Sequence, residues 1–167
     1  EVETTEVFKD CDTSKSSVFV ADLYELEKGT RNLEPLSSLK PVKQICLKQL
    51  DIKTRKFREG FPGVEGLYEW FGLKIQTKMN IKTAGTYKFR VNSDDGSIVS
   101  IDGRLLIDND GQHSTRDRSE SIELSAGSHL LEVKYFQGPA DEIALELYWT
   151  PPGESEAYLP LAILSRP

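Results

Sequence analysis

The sequence predicts an all-β domain, a sandwich or barrel of short antiparallel strands with a loop-rich N-terminal region. Three observations lead there. Apolar and polar residues alternate over long stretches. Turn dipeptides such as Ala84-Gly85, Asp102-Gly103 and Ala126-Gly127 fall between those stretches. No long segment carries the 3.6-residue period of an amphipathic helix.

Taken in order, residues 1–16 are polar, with Asp10, Asp12, Ser14 and Ser16, and read as a tail or linker. That leaves 17–167 as one domain, a length suited to a single core. Ser17-Val18-Phe19-Val20-Ala21-Asp22-Leu23-Tyr24 reads as the first strand. Glu25 to Lys40 reads as a loop or short helix, limited by Pro35 and Pro41. Ile45, Cys46 and Leu47 suggest another strand. Phe57 to Trp70 is rich in rings and glycine and reads as a loop packing against a sheet edge, in preference to an exposed sugar-stacking platform.

From Phe71 the period is two. Phe71, Leu73, Ile75, Thr77 and Met79 alternate with Gly72, Lys74, Gln76 and Lys78. Tyr87, Phe89 and Val91 form a second such set, Leu131, Val133 and Tyr135 a third, and Ile143, Leu145, Leu147 and Trp149 a fourth. Strands with one buried and one wet face give this pattern. Asp102-Gly103, between Ser97–Ile101 and Arg104–Ile107, marks a two-residue hairpin. Tyr158 to Leu164 can supply a final strand near the first.

Composition narrows the function. The net charge is -6, which opposes nucleic acid as partner, because phosphate binding needs a basic footprint. No apolar run approaches membrane-spanning length, so membrane insertion is not expected. No export signal is visible at Glu1-Val2-Glu3-Thr4-Thr5-Glu6. The two cysteines, Cys11 and Cys46, lack histidine partners at zinc-ligand spacing. They are read either as two thiols or as one disulfide tying the N-terminal tail to a core strand.

Three loops rich in acids and amides end strands: Asn92-Ser93-Asp94-Asp95-Gly96, Asp108-Asn109-Asp110-Gly111 and Gln137-Gly138-Pro139-Ala140-Asp141-Glu142. Loops at strand ends can converge at one pole of a sandwich. Calcium takes six to eight oxygen ligands, roughly, of the kind these loops offer. Neighbouring side chains on a strand point to opposite faces, so Asp94 and Asp95 can share an ion only where the backbone turns sharply, as at a cis peptide. The second loop fails as an EF-hand: its acids leave the required register and its flanks are strands. Asp108, Asn109 and Asp110 therefore read as a turn or as the rim of a shared site. Catalytic signatures are missing: no G-x-S-x-G elbow, H-E-x-x-H or phosphate-cradling glycine loop occurs. His113 and His129 read as hydrogen-bonded or exposed, and the chain is not expected to be an enzyme.

The run from Gly85 to Gly111, with Arg90-Val91-Asn92-Ser93-Asp94-Asp95-Gly96 and Ile101-Asp102-Gly103 at its centre, resembles the anthrax protective-antigen-type domain. Ile122 to His129, Leu131 to Phe136 and Ala144 to Trp149 continue the resemblance in order. It covers about Phe71 to Leu164 closely and Ser17 to Trp70 loosely. The resemblance implies a jelly-roll-like sandwich of two antiparallel sheets. Such modules occur in toxins, glycosidases, adhesins and flocculins, as parts of larger extracellular proteins. In sugar-binding members a pair of adjacent aspartates holds calcium, and the ion grips vicinal hydroxyls of a glycan. The implied metal ligands here are Asp94, Asp95, Gln137 and Asp141. Flocculins carry an asparagine in the second loop, where this chain offers Gln137 and Asp141. Ligand contacts are expected at Asp94, Asp95, Gln137 and Asp110, with Phe136 or Trp70 able to stack on a ring. The expected function is a calcium-dependent carbohydrate-binding domain, lectin- or adhesin-like. Its expected partner is a cell-surface or extracellular polysaccharide, and its location extracellular, cell-surface or periplasmic. The alternative is a structural or protein-interaction module in which calcium only stiffens loops.

Overall fold

The computed structural model describes residues 9–11, 17–56, 69–139 and 141–167. Its strands are β1 (Lys9–Asp10), β2 (Phe19–Glu25), β3 (Lys43–Leu47), β4 (Asp51–Lys56), β5 (Phe71–Ile81), β6 (Gly85–Asp94) and β7 (Ser97–Ile101). They continue as β8 (Arg104–Asn109), β9 (Arg116–Leu124), β10 (Gly127–Gln137), β11 (Glu142–Thr150), β12 (Ala157–Tyr158) and β13 (Leu164–Ser165). One sheet has the order β1-β3-β2-β5-β10-β7-β8, with β13 also on β5. The other has the order β12-β11-β6-β9, with β4 also on β11. The two antiparallel sheets make the expected sandwich.

The period-two positions form the core between them. Leu73, Ile75 and Met79 of β5 and Leu131, Val133 and Tyr135 of β10 are buried from one sheet. Phe89 and Val91 of β6 and Leu145 and Leu147 of β11 are buried from the other. Tyr87 and Trp149 stack with centroids 5.3 Å apart at one end. The register is that of a continuous core: Val133 lies opposite Ile75 on one side and Val99 on the other. Asp102 and Gly103 have φ of 52° and 77°, the left-handed pair that a two-residue hairpin requires.

Some expectations are revised. The first strand begins at Phe19, not Ser17. The stretch read as a loop or short helix from Glu25 to Lys40 holds to that reading after Glu25, the last residue of β2: it is a loop with one 3-10 turn, Glu34–Ser37, that carries Pro35 in its first turn. Tyr158 to Leu164 is not one strand: β12 borders β11, a 3-10 turn spans Leu161–Ile163, and β13 pairs with β5. β4 and β9 were not foreseen. In β9 only Leu124 is buried, so no apolar alternation marks it. Edge strands carry charge in place of alternation, which blunts their unpaired backbone.

Cys11 and Cys46 form a disulfide, with Cα atoms 4.9 Å apart. β1, within the stretch read as a tail, pairs with β3 beside it. Most of that stretch, 1–8 and 12–16, lies outside the described residues, as does 57–68 of the ring-rich segment. Among the described residues no helix is long and apolar enough to cross a membrane.

A smaller second core matters for the site. Tyr24, Leu26, Leu33, Leu36 and Phe136 are buried together, with Trp70 and Ile98 packed against them. It lies under the segment after β2 and beside the ends of β10 and β5. Those ends share a pole with the end of β6, since Gln137 pairs with Phe71 and Asp94 pairs with Ala144.

Candidate functional site

The two acidic loops expected to face each other do meet. The peptide bond between Asp94 and Asp95 is cis. Both residues are buried, at 7% and 5% exposure, although each carries a carboxylate. The Asp95 carboxylate bridges two loops. The Gly138 N–H donates to its Oδ2 at 2.8 Å, and the His113 N–H donates to its Oδ1 at 3.1 Å. The Thr115 N–H donates to Asp94.

A polar network that the sequence reading missed holds this turn. The Ser93 hydroxyl donates to the Asp95 carbonyl at 2.8 Å and lies 2.7 Å from the Ser97 hydroxyl. The Asn109 amide donates to Ser93 Oγ at 3.1 Å and to the Arg116 carbonyl at 3.0 Å. Arg116 Nε returns a bond to Asn109 Oδ1 at 2.8 Å. Beneath, the buried Tyr135 hydroxyl sits 2.7 Å from the Asp94 carbonyl and 2.8 Å from Gln137 Oε1. The signal available in the sequence was position. Asn109 and Tyr135 stand on inward-facing rows of their strands, where a polar group needs a partner.

Gly96 lets the turn close on its neighbours. A Cβ there would stand 2.6 Å from the Phe136 ring and 2.7 Å from Asp110 Oδ1.

Three expected residues turn out to have structural partners. Gln137 is fully buried, and its amide nitrogen donates to the carbonyls of Pro139 at 3.0 Å and Glu142 at 3.2 Å. With its oxygen on Tyr135, the side chain braces the second loop from inside. Both Asp110 oxygens accept the Leu33 N–H at 3.1 Å, so Asp110 pins the segment after β2 to the pole. Phe136 is fully buried in the second core and offers no ring to a ligand. Trp70 differs: it is half-buried, its N–H donates to the Gly138 carbonyl at 3.1 Å, and it stands beside the second loop. Asp141 is exposed on that loop.

The electrostatics single out Asp94. Burial, then the charges of Asp95, Glu142 and Asp141, push its carboxyl up from 3.8 to about 7. Burial also raises Asp95, against the Gly138 and His113 N–H groups. Burial and the two aspartates raise the Tyr135 phenol well above its usual range, so it stays a proton donor to the turn. The charges acting most on Asp94 are thus all negative. A cation at the pair would hold both carboxylates ionised and remove the repulsion.

The donors at the pole are oxygens throughout, which suits calcium and not softer metals. Among the described residues no three His, Cys, Asp or Glu side chains converge on one point. An ion at Asp94 and Asp95 would therefore complete its shell with backbone carbonyls or water, and with Asp141 only once that exposed side chain had moved in.

Comparison with known proteins gives the family. The PA14 domain profile matches residues 59–160, more than half of the chain. Among solved structures, a PA14 sugar-binding domain from an RTX adhesin superposes with TM-score 0.72 at 17% identity, covering 90% of this chain and 99% of that one. The PA14 domain of the MpAFP antifreeze protein also gives 0.72, at 21% identity, covering 95% and 96%. The epithelial adhesin 9 A domain of Candida glabrata, in complex with Galβ1-3GlcNAc, gives 0.58 at 13% identity, covering 90% and 92%. At these identities the likenesses speak for the fold. A comparison with curated protein sequences found no match.

Proposed function

The chain belongs to the PA14 domain family, the anthrax protective-antigen-type module, and on that premise we propose that it is a calcium-dependent carbohydrate-binding domain of the adhesin type. The observation that carries this reading is the buried Asp94–Asp95 pair. Its strongest charged neighbours are further carboxylates, and its own backbone turn is braced from below.

Asp94 and Asp95 would hold the ion from the first loop, and Asp141 from the second. Calcium held there would supply an electrophilic centre for hydroxyl oxygens of a glycan. The protein's own part is preorganisation. Asp95 is fixed by the Gly138 and His113 N–H groups, so one carboxylate is aimed before any ligand arrives. Gln137 keeps the second loop in shape, and Asp110 anchors the neighbouring segment. Related structures described as sugar-binding domains and adhesins support the carbohydrate assignment. The Cys11–Cys46 disulfide supports an oxidising, extracellular or cell-surface location. We read the domain as a binding module of a larger protein and not as an enzyme.

A second reading has one observation in its favour. Asp95 already fastens two loops through both of its oxygens, so the ion could serve only to stiffen the pole. A glycan screen run in calcium and again in chelator separates the two. Calcium-dependent glycan capture supports the lectin reading, and confirmed calcium binding with no glycan captured leaves only the stiffening role. Asp94→Ala is expected to abolish the calcium-induced rise in melting temperature. An unchanged rise would remove Asp94 from the site.

A further inference from the structure

We infer that residues 26–42, the segment joining β2 to β3, form a strap that positions the calcium loops, with Leu36 as its positioning residue. The inference rests on the calcium part of the reading given above. It concerns what aims the aspartate pair, not which ligand the ion takes.

The segment is longer than its connection requires. β2 and β3 are antiparallel neighbours, with Leu23 opposite Lys43. A hairpin between such strands needs roughly 2–5 residues. Loops beyond about 12–15 residues are uncommon in a compact domain, and most are either functional or disordered. This one packs against a core. Of its side chains only Leu26, Leu33 and Leu36 are buried, and all three belong to the second core. A segment held by so few buried contacts can open by itself while the sandwich stays folded.

Three routes lead from the strap to the aspartate turn. The first is packing. Leu36 seats on β5 over Gly72, where a Cβ would stand 2.7 Å from Leu36 Cδ1. Phe136 belongs to the same core. Its ring lies against Gly96, and its N–H donates to the Gly96 carbonyl at 3.0 Å. Gly96 directly follows the cis Asp94–Asp95 pair. The second route is the Asp110 carboxylate. It takes the Leu33 N–H, and its Oδ1 would stand 2.7 Å from a Cβ on Gly96. The third is a relay of backbone bonds. The Leu26 N–H donates to the Trp70 carbonyl at 2.8 Å, and the Trp70 N–H to the Gly138 carbonyl at 3.1 Å. The Gly138 N–H ends the relay on Asp95 Oδ2 at 2.8 Å. Trp70 has φ of 56°, rare for so bulky a residue, and these bonds on either side hold it there.

The three routes have one consequence. Lifting the strap would loosen Phe136, Asp110 and Trp70 together, and Gly96 and Asp95 rest on these. A carboxylate that is no longer aimed binds an ion less tightly, because the ion must then order it. Linkage makes the coupling reciprocal: an ion held at the pair tightens the strap by the same factor. Leu36 separates this effect from direct ligation, since its side chain has no oxygen to offer.

The test uses the whole chain and calcium chloride, with affinity measured by calorimetry and amide exchange by NMR, both well below the melting temperature. Leu36→Ala should weaken calcium binding about tenfold, and Leu36→Met, which refills the space, should restore most of it. Leu164→Ala is the control. It empties a buried position opposite Met79, at the far end of β5, and should leave calcium affinity unchanged. In the wild type, calcium should slow exchange of the Leu26 and Leu33 amides more than that of Ile163, whose N–H closes a turn at the far end. A folded Leu36→Ala that binds calcium as the wild type does would overturn the inference. An equal loss in Leu164→Ala would overturn it too, since general stability would then account for both. Should Leu36→Ala not fold, the exchange decides: Leu26 and Leu33 slowed no more than Ile163 refutes the strap. If the wild type binds no calcium, the calcium reading itself fails and this inference goes with it.

Discussion

Replacing Asp94 by asparagine removes a charge while keeping size and a hydrogen-bond acceptor for the Thr115 N–H. In the metal-free protein that charge is a burden. The carboxyl titrates at about 7 in the folded chain against 3.8 ordinarily, because it is buried beside Asp95, Glu142 and Asp141. An acid with a raised folded pKa binds its proton more tightly in the folded state. Folding therefore loses stability as pH rises through 3.8, and the loss is complete above about 7. At about 1.4 kcal/mol per pKa unit the loss approaches a ceiling of about 4 kcal/mol. Water reaching the pole screens part of it, leaving about 2–4 kcal/mol. In a chain of this length that is roughly 6–12 °C in melting temperature. The assay is thermal unfolding by circular dichroism, in chelator, at pH 8 and pH 4. Asp94→Asn is expected to melt above the wild type at pH 8 and to converge with it at pH 4. Added calcium should then raise the wild type and leave the variant unmoved. A variant that melts below the wild type in chelator at pH 8 would refute the reasoning, since the carboxylate would then be held by favourable partners.

Other outcomes follow from the same structure. Cys46→Ser opens a loop of 35 residues and should cost about 4 kcal/mol, read as a lower denaturant midpoint that reductant reproduces in the wild type. His129 and Asp102 pair at 2.6 Å; desolvation opposes charge on both, but their mutual bond wins, raising His129 and lowering Asp102. The stability from His129 is fully present below 6.5 and is lost as pH rises through its raised folded value. That from Asp102 is present above 3.8 and is lost as pH falls through its lowered value. The difference in melting temperature between wild type and His129→Gln should thus be largest between those limits and shrink on the alkaline side. Gly96→Ala drives a methyl to within 2.6 Å of the Phe136 ring and should destabilise by about 1–3 kcal/mol, with weaker calcium response, both read in one melting series.

The strands that bury one face were legible in the sequence, because alternation is a local property. Phe71, Leu73, Ile75, Thr77 and Met79 are all buried, as their spacing required. The Asp102-Gly103 hairpin was legible for the same reason: its dihedrals suit those two residues. Strands β4 and β9 were not legible, since charged edges carry no alternation to read. The Asp94–Asp95 pair was conspicuous, but its partners were not. Burial, and so the raised pKa of Asp94, depends on what packs over a residue from elsewhere in the chain.

The same limit explains Gln137, Asp110 and the cysteines. By residue type, Gln137 and Asp110 are good oxygen donors, and the sequence could say no more. Tyr135 and the carbonyl of Glu142 turn Gln137 inward, and the Leu33 N–H, 77 residues away, takes Asp110. Cys11 and Cys46 could have been thiols until β1 laid itself along β3. Sequence alone determined the all-β pattern and the place of the acidic turn, because dihedral preference and polarity act between neighbours. Tertiary structure decided which carboxylates stand unopposed and which amides are engaged, because those depend on distances between segments far apart in the chain.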